Sequence, residues 1–260
     1  MVFCIPSEHV MAVPISFNRV DPGRSNRFLL IVDSDANNLY YTSILLQRFQ
    51  YHICSSKTAG EAREMAAVAV PALIITAHHL RDATSLELME QLNEDPRLRP
   101  VPVIVLTREG DLFGERQCLD AGAAACLTTP VQAESLFRAV QEAIEPTPRQ
   151  NIRISTRLPV MVNDQPLNCN EGECASVLSE LGMYIRTRTP AAKNTLLSLR
   201  IALKGRSVSA LAEVLYSHTF GEGPFGEPGM ALKFVQIAPQ DQEQLRLFIR
   251  DEVTRGIKPL

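Results

Sequence analysis

The chain reads as two domains, an α/β doubly wound parallel sheet followed by a six-stranded antiparallel β-barrel with a C-terminal helix. Three observations predict this. Short apolar runs alternate with helix-period stretches over the first half of the chain, Pro146 and Pro148 end that alternation, and beyond Pro159 the apolar period changes to two. With 260 residues, 45% of them hydrophobic, there is enough chain for two ordinary cores.

Residues 1–27 contain Pro6, Pro14 and Pro22 and no sustained period, which predicts a flexible N-terminal arm. At Phe28 the pattern changes. Phe28-Leu29-Leu30-Ile31-Val32, bounded by Asp33-Ser34-Asp35, predicts a buried parallel strand that ends in a loop. Strands are expected next near residues 51–54, 72–76, 103–106 and 124–127, with helices near 37–49, 60–69, 85–93, 113–120 and 132–145. A repeat of strand then helix gives a parallel sheet covered on both faces, and such sheets bind ligands beyond the carboxyl ends of their strands. Those ends are Asp33-Ser34-Asp35, Ala77-His78-His79, Thr107-Arg108 and Thr128-Thr129-Pro130.

This arrangement resembles the receiver domain of two-component response regulators, over residues 28–146. In that family an acidic pair follows the first strand, a phosphoacceptor aspartate the third, a hydroxyl ends the fourth, and a lysine precedes a proline after the fifth. Here Asp33 fills one acidic position, Ser34 takes the other with Asp35 just beyond, Ala77 falls on the phosphoacceptor, Thr107 matches the hydroxyl and Thr129 replaces the lysine. A methyl group cannot attack phosphorus, and one first-shell carboxylate makes a poor magnesium cage. The expectation is a non-phosphorylatable domain used for protein interaction, with the face of its fourth helix, fifth strand and fifth helix still able to pair. Adjacent histidines on a loop point in different directions, and no cysteine or third histidine accompanies His78 and His79, so a surface or capping role is expected there. Thr107 reads as a satisfied strand-end hydroxyl, and Cys118 and Cys126 as core thiols.

Residues 147–156 form a linker carrying Arg149 and Arg153 ahead of the barrel, which spans 157–256 with its helix. On residue type alone these arginines either make surface salt bridges or fork onto phosphates and stack on bases. Barrel strands are expected at 157–162, 173–178, 183–188, 196–203, 207–216 and 230–237, and a helix at 241–254 with Leu245, Phe248 and Ile249 against the barrel. The glycine-rich segment around Phe225 reads as a loop.

Arg149-Gln150-Asn151-Ile152-Arg153 followed by Arg157-Leu158-Pro159-Val160 resembles the RxxxR signature of the PilZ domain, a receptor module for cyclic di-GMP. The second signature, [D/N]xSxxG, is met at Ser179 and Gly182, with Val177 at the Asp/Asn position. The resemblance implies that Arg149 and Arg153 pair with phosphate while stacking on guanine, that Ser179 donates to phosphate or a base edge, and that Gly182 permits a tight turn. Val177 cannot accept from guanine N–H groups, a loss of about 1–3 kcal/mol, so weak binding is expected. Arg186, Arg188, Arg200 and Lys204 read as a solvated barrel face.

Composition limits the rest. A formal net charge of −3 excludes a general nucleic-acid coat but permits a local anion site. The six cysteines are scattered rather than framed, there is no apolar run long enough to span a membrane, and the N-terminus lacks the pattern of a signal peptide, so the cytoplasm is expected. No convergent nucleophile, base and metal set appears at any strand end, so no enzyme, cofactor or metal is expected. Two function classes remain: a cyclic di-GMP-binding signalling adaptor with a protein partner on its receiver-like domain, and a protein-interaction scaffold of the same architecture that has lost nucleotide binding.

Overall fold

The computed structural model describes residues 28–222 and 226–257; the arm expected over residues 1–27, and Phe225, lie outside them. The chain divides into two compact units, with Pro148 in the first and Arg149–Ile257 forming the second.

In the first unit β1 (Phe28–Val32), β2 (His52–Ser56), β3 (Leu73–Ala77), β4 (Val103–Arg108) and β5 (Ala125–Thr129) form one parallel sheet in the order β2-β1-β3-β4-β5. The three inner strands are apolar runs because both of their faces are covered. The helices α1 (Ala36–Arg48), α2 (Ala59–Val68), α3 (Ser85–Glu94), α4 (Leu112–Asp120) and α5 (Ala133–Ile144) connect them. Four of these helices begin where a short polar side chain takes an unpaired backbone N–H: Asp35, Thr58, Thr84 and Asp111 are the caps, and Glu87 completes a capping box with Thr84. Asp82 adds a second cap to α2, accepting from the N–H groups of Ala59 and Gly60 at 3.0 Å each. On α5, Phe137 meets Phe49 edge to face at 5.1 Å, and buried Gln141 donates to the Tyr51 hydroxyl at 2.6 Å.

The second unit holds β6 (Ile154–Leu158), β7 (Val160–Val162), β8 (Gln165–Pro166), β9 (Cys174–Ser179), β10 (Gly182–Arg186), β11 (Leu196–Leu203), β12 (Arg206–His218), β13 (Gly229–Ile237) and α6 (Pro239–Thr254). The sheet order is β6-β9-β10-β13-β12-β11-β7-β8. Eight strands replace the six expected. The first expected strand starts at Ile154 rather than Arg157 and breaks at Pro159, which has no N–H to give a ladder, while β8 is a two-residue addition. The broken strand stands at both sides of the sheet, β6 on β9 and β7 on β11, so the chain itself joins the two sides at Pro159. With β6 and β7 counted as one bent strand and the two-residue β8 left out, six strands remain for the curled barrel. Along α6, Leu245, Ile249 and Val253 are buried and Phe248 half-buried, and the helix packs on β12 and β6.

Two glycines let β10 and β13 approach closely. A Cβ on Gly182 would lie 2.1 Å from the carbonyl oxygen of Leu232, and one on Gly229 would lie 2.4 Å from that of Ile185. Both obstacles are main chain in a paired strand and cannot swing aside. Gly182→Ala is therefore expected to destabilise the second unit by about 2–3 kcal/mol, the upper part of the overpacking range. A denaturant midpoint for the barrel unchanged from wild type is the result that contradicts this.

Candidate functional site

The face of the barrel on which the motif residues lie follows from strand register. Ile154 pairs with Leu178 and Ser155 with Val177, and Arg153 directly precedes β6 as Ser179 directly follows Leu178. Alternation sends Ile154 and Leu178 into the core and leaves Arg153, Ser155, Val177 and Ser179 on the other face. Val177 also pairs with Tyr184 on β10, and a bulge at Ser176 separates that pair from the next. The structure places Val177 between Ser155 and Tyr184, an aromatic ring that the sequence gives no reason to choose, with Arg153 and Ser179 each at the end of a paired strand.

Inside the RxxxR segment Ile152 is buried, as is Ile154, so the segment is fixed in phase and its last arginine leads directly into a strand. Arg153 is exposed and makes no hydrogen bond or ion pair among the described residues. Arg149 is half-buried and engaged. The surrounding cations have acidic partners: Arg186 lies 2.9 Å from Glu227, Arg188 3.0 Å from Glu171, Arg200 3.6 Å from Asp164, and Lys204 contacts Glu252. Arg153 has no such partner among the described residues, and neither do Arg157, Arg206 and Lys233, so several cations on the barrel surface remain unshared.

The hairpin between β9 and β10 departs from what its motif suggests. The Ser179 hydroxyl donates to the Gly182 carbonyl at 3.0 Å, closing the Glu180-Leu181 turn, so its proton is spent and its oxygen remains as an acceptor. Gly182 has no positive φ; the close approach of Leu232, rather than turn geometry, demands it. The Leu181 carbonyl accepts from Phe234 N–H at 2.9 Å, and Glu180 holds Arg246 of α6 at 3.2 Å. The turn is therefore tied to both β13 and α6.

At the strand ends of the parallel sheet the polar groups serve the backbone. Ser34 Oγ donates to the Lys57 carbonyl at 2.9 Å and accepts from Arg81 N–H at 3.0 Å, and Asp35 accepts from Asn37 and Asn38. Asp33 is buried, and burial raises its carboxyl above the usual range despite an N–H from Asp35 at 2.8 Å. Ala77 closes β3 with a methyl group. Buried Thr107 approaches the Leu127 carbonyl at 3.5 Å, and Thr129 donates to the Thr107 carbonyl at 3.0 Å.

His78 and His79 do not point apart as expected: their rings lie 4.4 Å from centre to centre. His78 is buried, with Nδ1 2.8 Å from Ser85 Oγ, and burial holds its imidazole below the ordinary range. Cys118 is buried, and burial pushes the Cys126 thiol up to about 12, which leaves no thiolate for chemistry near neutral pH.

Two family models match the chain: the response regulator receiver domain over residues 29–141 and the PilZ domain over residues 147–251. Two-component response regulator ORR5 of Oryza sativa subsp. japonica is 26% identical over 120 residues, covering 46% of this chain and 89% of that protein. Protein PilH of Pseudomonas aeruginosa is 24% identical over 120 residues, covering 45% and 96%. The crystal structure of a putative response regulator from Chloroflexus aurantiacus, 23% identical, superposes with a TM-score of 0.44 over 45% of this chain and 97% of its own.

Burial of Asp33 gives a measurable sign. A carboxyl raised in the folded state costs stability as pH rises from its unfolded value through its folded one, and the full cost is present above that. Asp33→Asn, which keeps an oxygen for the Asp35 N–H, is expected to raise the melting temperature of the first unit by a few degrees at pH 7. The gain should fade as pH falls into the ordinary carboxylate range. A melting temperature lowered at pH 7 contradicts the assignment.

Proposed function

The chain joins a response regulator receiver domain to a PilZ domain, and on that premise we propose that it is a signalling adaptor whose barrel binds cyclic di-GMP weakly. Its receiver domain takes no phosphoryl group and serves as a protein-interaction surface.

The ligand reading is supported by Arg153, exposed and without a partner among the described residues, directly before β6, whose Ser155 pairs with Val177 two residues from Ser179. A dinucleotide with two phosphates and two flat guanines suits an arginine pair, because a guanidinium forks onto phosphate and stacks on a purine together. Val177 supports the weakness of the site: it is half-buried between Ser155 and Tyr184 and offers no acceptor to a guanine edge. It also favours a second reading, in which the barrel has lost nucleotide binding and the whole chain is an interaction scaffold.

Ala77 supports the non-phosphorylatable reading, since β3 ends in a side chain without a nucleophile. Leu112 and Phe113, 76% and 74% exposed on the first turn of α4, support protein contact on that side. No described helix is long and apolar enough to cross a membrane, and Cys54, Cys118, Cys126, Cys169 and Cys174 are free thiols, which suits a cytoplasmic role.

Calorimetry with cyclic di-GMP tests the ligand. Wild type is expected to bind weakly, Arg153→Ala to lose about 1.5–3 kcal/mol, roughly ten- to a hundredfold in affinity, and Arg188→Ala, whose charge is already shared with Glu171, to lose far less. Val177→Asn restores an acceptor and should tighten binding roughly tenfold. No heat from either wild type or Val177→Asn at high micromolar ligand removes the nucleotide reading and leaves the scaffold. For the receiver domain, incubation with acetyl phosphate and magnesium should give no acid-labile adduct within residues 28–146; a stoichiometric one refutes the inert assignment.

A further inference from the structure

Behind the end of β3, the loop into α3 meets the loop into α4. There His78, His79 and Asp111 each bring one ligand atom to within 4.8 Å of the others. The three residues differ in how firmly they are held. His78 is buried, and its Nδ1 is taken by Ser85 Oγ at 2.8 Å, with Cys118 Sγ at 3.3 Å. Its other ring nitrogen makes no hydrogen bond among the described residues, yet none of their buried side-chain nitrogen or oxygen atoms lacks a partner, so that nitrogen faces the open side. Asp111 gives Oδ1 to the Gly114 N–H at 2.9 Å as the cap of α4, which leaves its second oxygen. His79 is exposed and can turn.

We propose that His78, His79 and Asp111 form a binding site for a divalent transition metal of the zinc class, with His78 contributing the ring nitrogen that Ser85 leaves open. Two imidazoles and one carboxylate are a borderline donor set, suited to zinc, cobalt or nickel and poorly suited to magnesium or calcium. Ligand bonds of about 2.0–2.2 Å in a tetrahedron put ligand atoms about 3.4 Å apart, so the group closes by a turn of the exposed His79 side chain. Water completes the fourth position. Ser85, fully buried on the first turn of α3, holds the ring of His78, and with Nδ1–H donating to the Ser85 oxygen the other ring nitrogen carries the lone pair a metal needs. The bound ion ties the loop after β3 to the N-terminus of α4. It lies at Ala77's neighbours and needs no phosphoryl chemistry, so it stands apart from the cyclic di-GMP proposal.

The test uses the full chain after chelator treatment, with Co2+ as a visible probe and Zn2+ in calorimetry. Wild type is expected to take up one ion per chain and to show the intensified visible bands of low-coordinate Co2+ without a thiolate charge-transfer band. His79→Ala removes an exposed side chain, and Asp111→Asn keeps the helix cap while removing the charge; each should weaken Zn2+ binding at least tenfold. Absence of uptake by wild type, a thiolate band, or uptake unchanged in either variant overturns the proposal.

Discussion

The approach of Gly182 to the Leu232 carbonyl decides how the strands that carry the motif residues are placed. Because no side chain intervenes, β10 and β13 run close from Gly182 to Arg186, and Gly229 gives the same freedom at the other end of the pair. β9 hangs from β10 through a two-residue turn, β6 hangs from β9, and Arg153 is the residue before β6 begins. Each link has a period of two, so a one-residue slip at any of them would send Arg153 and Val177 to the core face and Ile154 and Leu178 outward. The Ser179, Leu181 and Glu180 contacts hold the turn against that slip from three directions.

The parallel sheet shows how a set of polar strand ends becomes structural. Asp35, Ser34, Thr129 and Asp82 occupy positions at the rim where ligands of such sheets bind, yet each bonds to backbone: helix N-termini for the two aspartates, a loop carbonyl and amide for Ser34, and the end of β4 for Thr129. Asp33 alone stays buried with its charge opposed by its surroundings. Each of these side chains is thereby occupied by main chain.

The sequence revealed most where one local property was sufficient. β1, β3 and β4 were legible because strands covered on both faces must be continuously apolar, and the helices between them because their period differs from that of the strands. The arginine pair, Ser179, Gly182 and Val177 were legible as positions through their spacing. Their roles were less so. Gly182 reads as a turn glycine until Leu232, far along the chain, is seen to need its space. Ser179 reads as a donor to ligand until its proton is found on Gly182. The strand break at Pro159 was readable in the residue, but the use of both halves on opposite sides of the sheet depends on partners that period and propensity do not identify. Asp111 escaped notice beside His78 and His79 because it sits on a different loop, and only the parallel order of β3 and β4 makes the two loops neighbours.

The bent strand at Pro159 has a consequence for how the barrel is assembled. It is the first strand of the barrel to leave the ribosome, and neither half can be placed early: β7 waits for β11, and β6 waits for β9, which is held by β10, which is held by β13. Closing the barrel therefore joins segments far apart in sequence, and the entropy of ordering the intervening chain is lost before the final pairs form. Folding of this unit is governed by non-local contacts and is slow for its size. The arginine pair precedes every strand of the sheet that supports it, so a nascent or truncated chain that lacks β13 carries the RxxxR segment without the sheet that positions it.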